Sequence, residues 1–366
     1  GVKISDSVSE DELFSKHAGA FLIETSEEAN MPSDARLIAA TTEAYEFSFH
    51  GETLDMEELQ KLWEEKLQPV FPYLSPSDDT AVQAVSYQAE KPMHASYTCE
   101  HPHVLIPVFP GTNCEWDTAR AFEKYGADPE IFVIRNRTPE EIEDSVDRFA
   151  ASIAKSQIIA LPGGFSGGDE PDGSGKFITS FFRNPKIRKE VTKLLDEREG
   201  LMCGICNGFQ ALVKLGLVPY GKIMDMDADC PTLTFNSIGR HQSMLVRTRV
   251  ASNKSPWLRY AKVGEISTVA ISHGEGRFAA EEAVLKQMIE NGQIAEQYVD
   301  LDGNPTENIR FNPNHSVMAI EGITSPDGRI FGKMGHSERS GDNLYRNIPD
   351  LKFQDMIFRG AVDYFR

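Results

Sequence analysis

A glycine, a spacer, a cysteine, a spacer and a second glycine stand between a strand-like and a helix-like run, and nothing else restricts the fold of this chain so tightly. The run Leu201-Met-Cys-Gly-Ile205 is short and apolar, and Phe209-Gln-Ala-Leu-Val-Lys-Leu215 has a helical pattern. Small residues at Gly204 and Gly208 let the backbone turn sharply from strand into helix, because side chains there would collide with neighbouring backbone. Such a turn lifts the Cys206 sulfur above the sheet edge at a helix N-terminus, where the dipole and free N–H groups favour a thiolate. The Asn207 N–H would then face an oxyanion formed beside the sulfur. Two other readings stay open at this point. Cys203-Gly-Ile-Cys206 has the spacing of a redox pair, and either thiol could be inert core. Because Cys203 lies inside the apolar run, packing is its expected role.

Residues 1–73 read as a small α/β fragment, with strands at Ala18–Glu24, Ala35–Ala40 and Ala44–Phe49, a turn at His50-Gly51 and a helix from Met56 to Leu67. Residues 74–102 are mostly polar, with turn signals at Ser75-Pro76-Ser-Asp-Asp79 and Lys91-Pro92, and read as a linker. Cys99, His101 and His103 offer three metal ligands there, but at awkward spacing and with no fourth nearby, so no metal site is expected. In residues 103–366 strands and helices alternate: Val104–Phe109, Asp117–Tyr125, Glu130–Ile134, a capped helix opening at Thr138-Pro-Glu-Glu141, Ile158–Leu161 and Lys186–Arg198. This alternation predicts an α/β fold with a mostly parallel sheet flanked by helices, its working site at the carboxyl ends of the strands. After Ser243 the pattern is richer in strand, and Pro349–Phe365 reads as a closing amphipathic helix.

Charge narrows the function classes. The net charge of −19 with no basic block argues against a nucleic-acid partner. No apolar run approaches the ~20 residues of a membrane span. Gly1-Val-Lys-Ile-Ser-Asp6 carries neither a signal peptide nor an initiator Met, so the chain reads as a processed or excised piece. Five cysteines, an odd number in a chain this long, fit a reducing, cytoplasmic setting better than a disulfide framework.

A cysteine nucleophile needs a base, and the base needs an orienting group. His336, in Ile330-Phe-Gly-Lys-Met-Gly-His336-Ser-Glu338-Arg, follows a strand-like run, and alternation places Glu338 on the same side of an extended segment. Gly204-Ile-Cys206-Asn-Gly208, Leu161-Pro-Gly-Gly-Phe-Ser166 and His336-x-Glu338 together resemble the class I (triad) glutamine amidotransferases, whose sheet is flavodoxin-like. Pro110-Gly-Thr-Asn-Cys-Glu115, Ala119-Arg-Ala-Phe122, Ser272-His-Gly-Glu-Gly-Arg-Phe278, Asn312-Pro-Asn314 and Ser325-Pro-Asp-Gly-Arg329 narrow the likeness to the glutaminase domains of the phosphoribosylformylglycinamidine synthase family. That likeness spans roughly residues 103–345; residues 1–73 resemble, more weakly, the end of the synthetase portion of the large single-chain form. Two departures stand out. Gly335 and Ser337 flank His336 where the family is expected to carry prolines, and His315 follows Asn314 where a glycine is usual.

The resemblance implies glutamine hydrolysis by Cys206, His336 and Glu338, with Gly164 and Asn207 forming the oxyanion hole. It implies substrate contacts at Gly163, Phe165, Gln210 and His273. The ammonia would serve a synthetase site where ATP, expected with Mg, converts formylglycinamide ribonucleotide to the amidine. This chain has no ATP-binding loop and is expected to hold no cofactor. Ser166-Gly-Gly-Asp169 could be read as a phosphate loop but lacks the Lys-Ser/Thr ending. Cys114, without a base beside it in sequence, is expected to be structural. A cysteine peptidase and an inactive docking module are the competing readings.

Overall fold

Short β-capable segments joined by tight turns build the first of two units, Gly1–Tyr73, and alternating strands and helices build the second, Leu74–Arg366. The computed structural model describes all residues except 27–30, 71, 73–79, 81, 168–174, 342–343, 347, 349–350 and 354–355. The turn signals at 75–79 and part of the Ser166–Asp169 segment therefore lie outside the described residues.

The first unit contains β1 (Val2–Ile4), α1 (Glu10–Phe14), β2 (Ala39–Thr41), β3 (Glu46–Phe49), β4 (Glu52–Asp55) and α2 (Met56–Glu65), with strand order β2-β1-β3-β4. His50 and Gly51, at φ 48° and 86°, close the β3–β4 hairpin; positive φ at both positions matches the twist of paired strands. Asp55 caps α2 by accepting the Glu57 N–H at 2.7 Å. The strand expected at 18–24 is absent. Phe21, Leu22 and Ile23 form a continuous apolar run rather than an alternating one, and they lie exposed, with no strand paired to them among the described residues.

In the second unit, β5 (His103–Val108), α3 (Glu115–Glu123), β6 (Asp128–Val133), α4 (Pro139–Lys155), β7 (Ile158–Leu161), α5 (Lys176–Phe182), α6 (Pro185–Asp196), β8 (Leu201–Ile205) and α7 (Asn207–Leu215) give the alternating half. Then follow α8 (Leu217–Tyr220), β9 (Thr232–Phe235), β10 (Gln242–Val250), β11 (Ile266–His273), β12 (Glu275–Ala279), α9 (Glu282–Glu290), β13 (Ile294–Val299), β14 (Ile320–Thr324), β15 (Ile330–Lys333) and α10 (Met356–Asp363). One sheet runs β11-β10-β13-β14-β15-β8-β7-β5-β6. Pairings from β15 to β6 are parallel and those from β11 to β15 antiparallel, so the sheet is mixed, with the parallel half where sequence alternation placed it. β7 and β8 are buried along their whole length, as strands covered by helices on both faces must be. Thr138 caps α4 by accepting the Glu141 N–H, with Pro139 opening the helix.

Residues 82–102, before β5, lie along this unit as an extended strap. Tyr87 donates to Ala251 O, Ala95 to Tyr364 O and Cys99 to Phe365 O, and Val85 is buried. The imidazoles of His101 and His103 turn to separate partners, the Gly126 carbonyl and the Ser156 hydroxyl. No helix among the described residues is long and apolar enough to cross a membrane.

Candidate active site

Four parallel strands end on the same edge of the sheet, and the loops leaving them carry most of the chemistry-bearing residues. β5 runs into Phe109–Cys114, β7 into Pro162–Ser166, β8 into Cys206 and β15 into Met334–Glu338. This is the edge at which parallel sheets hold their ligands.

Cys206 occupies the turn between β8 and α7 with φ 53° and ψ −107°, a conformation that costs a non-glycine residue about 1–3 kcal/mol. Both flanking glycines are obligatory. A Cβ on Gly204 would lie 2.5 Å from the Gly208 carbonyl, and one on Gly208 would lie 2.1 Å from Leu161 O. The strand and helix therefore approach backbone to backbone, and the Cys206 N–H is fixed by Lys333 O at 2.8 Å. Cys203 points into the core, where burial pushes its thiol far up, as suits a packing residue.

His336 Nδ1 lies 2.6 Å from Glu338 Oε1, both side chains fully buried. The His336 N–H donates to Ala270 O, tying the loop to β11. Burial opposes a charge on this ring. The Glu338 carboxylate and the nearby sulfurs of Cys114 and Cys206 outweigh it, and the pKa of His336 rises well above the usual histidine value. His336 Nε2 has no hydrogen-bond partner. Gly163 explains how ring and thiol share the space: a Cβ there would stand 2.6 Å from His336 Cε1 and 3.4 Å from Cys206 Cβ.

Gly164, at φ 138°, bridges Thr112, and a side chain would strike Gly111 O at 2.6 Å. The bridge is made by the Asn113 N–H to Gly163 O and the Phe165 N–H to Gly111 O, which leaves the Gly164 N–H outside it. The Asn207 N–H belongs to the uncapped first turn of α7. Gln210 takes part in a buried relay. Ser166 N–H donates to Asn207 Oδ1, Asn207 Nδ2 to Gln210 Oε1, and Gln210 Nε2 to Glu275 O. Its amide thus holds two loops together. Phe165 is half-buried with its ring 6.0 Å from that of His241.

His273 is buried, and Asn236 fixes its tautomer: Asn236 Nδ2 donates to Arg240 O and His273 O, so its Oδ1 accepts from His273 Nδ1. His273 Nε2 is left without a partner, as is Ser166 Oγ. Burial, with His336 and His241 nearby, lowers the His273 pKa to about 3, so the ring is neutral at ordinary pH. His315 takes φ 63°, the left-handed conformation in which a glycine rests without strain. The neighbouring Asn314 supports the 273–278 segment by donating to Gly276 O at 2.7 Å.

Sequence reasoning missed Cys114. Its sulfur lies 3.8 Å from His336 Nδ1 and 3.0 Å from Arg339 Nη2, far from being a remote core residue. No local signal could reveal this, because the contact forms only when the loops after β5 and β15 meet. Cys114, His336 and Glu338 each bring one ligand atom within 4.8 Å of the others, but the Arg339 charge on the Cys114 sulfur opposes a metal cation there.

Comparison with known proteins bears on the family and the fold. Residues 101–365 match the family described as the CobB/CobQ-like glutamine amidotransferase domain. The chain is 34% identical over 281 residues to phosphoribosylformylglycinamidine synthase subunit PurQ of Methanococcus maripaludis (strain S2 / LL), covering 72% of this chain and 97% of that one. It is 31% identical to the same subunit of Aquifex aeolicus (strain VF5), covering 65% and 91%. Among solved structures, PurLQS from Thermotoga maritima superposes with a TM-score of 0.52 at 26% identity, covering 73% of this chain and all of the matched one.

Proposed function

This chain belongs to the CobB/CobQ-like glutamine amidotransferase family, and we propose that Cys206, His336 and Glu338 are its catalytic triad. Its activity is the hydrolysis of glutamine to glutamate and ammonia for formylglycinamidine ribonucleotide formation in purine biosynthesis. The observation that carries the triad assignment is the strained Cys206 turn beside a buried, carboxylate-oriented histidine.

In this reading the Cys206 thiolate attacks the side-chain amide carbon of glutamine. The Gly164 and Asn207 N–H groups receive the developing oxyanion; removing one such donor typically costs about 3 kcal/mol of transition-state stabilisation. His336 protonates the departing ammonia through Nε2 and then takes a proton from the water that attacks the thioester, while Glu338 holds the ring through Nδ1. Gly163 leaves room for the substrate. We assign Phe165 to the rim of the glutamine pocket, and His273 Nε2 and the Ser166 hydroxyl to polar contacts with the substrate, because buried polar atoms seek partners. Gln210 contributes by fixing the loops. The partner is a synthetase, to which we assign ATP and magnesium; a complex of that kind is consistent with the multi-subunit PurLQS likeness. A cytoplasmic setting fits this role.

Glutamate release from glutamine across pH tests this reading. Glu338 raises the His336 pKa against the opposing effect of burial, so the protonated acid is lost only as pH rises through that raised value. Glu338→Gln removes the carboxylate charge, lets burial dominate and moves the alkaline limb of kcat to lower pH, with a smaller loss of kcat than removing His336. An alkaline limb unmoved in Glu338→Gln would contradict the pairing. Cleavage of peptides in preference to glutamine would favour a peptidase instead.

A further inference from the structure

Beneath the His336 loop lies a group of charges that the triad does not use. Lys333, Glu296 and Glu321 are fully buried, with Lys333 Nζ 2.6 Å from Glu296 Oε2 and 3.7 Å from Glu321 Oε2. Burying three ionisable side chains is unfavourable, and burial with Glu296 nearby raises the Glu321 pKa against the opposing Lys333 charge, so their presence under an active site calls for a compensating role. Each end of the group touches the site. Lys333 O accepts the Cys206 N–H at 2.8 Å, and Glu321 Oε1 accepts the Gly335 N–H at 2.6 Å, one residue before His336. The Glu321 carbonyl also accepts the Met334 N–H, which extends the β14–β15 register by one step toward His336.

We propose that Glu321, anchored by Lys333, is a positioning residue that fixes the loop carrying His336 relative to Cys206. The inference rests on His336 being the base. Position 335 is built for this bond: a Cβ there would stand 2.7 Å from Glu321 Oε1 and 2.7 Å from Val269 Cγ1. A proline would have no N–H to donate. Gly335 and Ser337 leave the loop without covalent stiffening, and the buried carboxylate supplies the restraint from below. Lys333 stands 3.7 Å from the Glu321 carboxyl group and offsets part of the cost of burying it, and its own carbonyl ties the same strand to the nucleophile. The group therefore sets the separation of thiol and imidazole, on which proton transfer depends far more steeply than substrate binding does.

The test compares Glu321→Met and Glu321→Gln with the unaltered chain, His336→Ala being measured in parallel. Methionine matches the length of glutamate and leaves Lys333 paired with Glu296, but it cannot accept the Gly335 N–H. It should lower kcat about 100-fold, the scale of a misplaced catalytic group, with KM for glutamine changed less than about two-fold. Glutamine retains an acceptor and should restore kcat to within about five-fold of the unaltered chain. Glu321→Ala serves as the second variant if the methionine variant does not fold, with the same expected split between kcat and KM. A folded Glu321→Met or Glu321→Ala variant with unchanged kcat overturns the proposal, as does equal impairment of the glutamine and apolar variants. Turnover retained by His336→Ala would instead remove the underlying assignment of the base, which separates the two failures.

Discussion

Cys206→Ala is expected to abolish glutamate release, lowering kcat on the order of 10⁶-fold, the scale seen when a triad nucleophile is removed. The fold should persist. Cys206 is held by its backbone, through the Lys333 carbonyl and the Gly204–Gly208 approach, and alanine alters neither. The substitution removes the sulfur and little else. Cys114 cannot take over. Its sulfur stands against Arg339 and against His336 Nδ1, the nitrogen that Glu338 holds. Residual activity near that of the unaltered chain, measured as glutamate formed under saturating glutamine, would assign the attack to another group.

His336→Ala is expected to produce a loss of similar order. Both the departure of ammonia and the attack of water pass a proton through one nitrogen, so neither half-reaction escapes the substitution. Because thiol and imidazole act as a unit, the Cys206→Ala, His336→Ala double variant should be no slower than either single one. Losses that multiply would mean that the two side chains act independently. His273 is a poor substitute base. Its pKa of about 3 and its hydrogen bond to Asn236 leave it a weak acceptor rather than a group that exchanges protons near neutrality.

The sequence made the elbow legible because its constraint is local. Gly204 and Gly208 lie within two residues of Cys206, and the apolar run and helical run lie on either side. The His336–Glu338 pair was legible for a similar reason, since alternate residues of an extended segment share a side. Long-range contacts were not. Cys114 meets His336 across 222 residues of chain, and no periodicity encodes that approach. Lys333 and Glu321 did carry a signal, as charges within apolar strand-like runs, but the partner Glu296 lies 37 residues from Lys333. Gln210 was placed among substrate contacts by family likeness, and nothing in the sequence signals that its amide also joins the Ser166 and Glu275 loops. The false strand at 18–24 arose because apolar content without alternation says nothing about whether a neighbouring edge exists to pair with.

The central claim, that Cys206 is the nucleophile activated beside His336, is tested most directly by mapping the covalent adduct of an electrophilic glutamine analogue on the intact chain by peptide mass spectrometry. The account predicts a single adduct on Cys206, blocked by excess glutamine and formed much more slowly in His336→Ala. An adduct on Cys114 or Cys203 with Cys206 unmodified would contradict it.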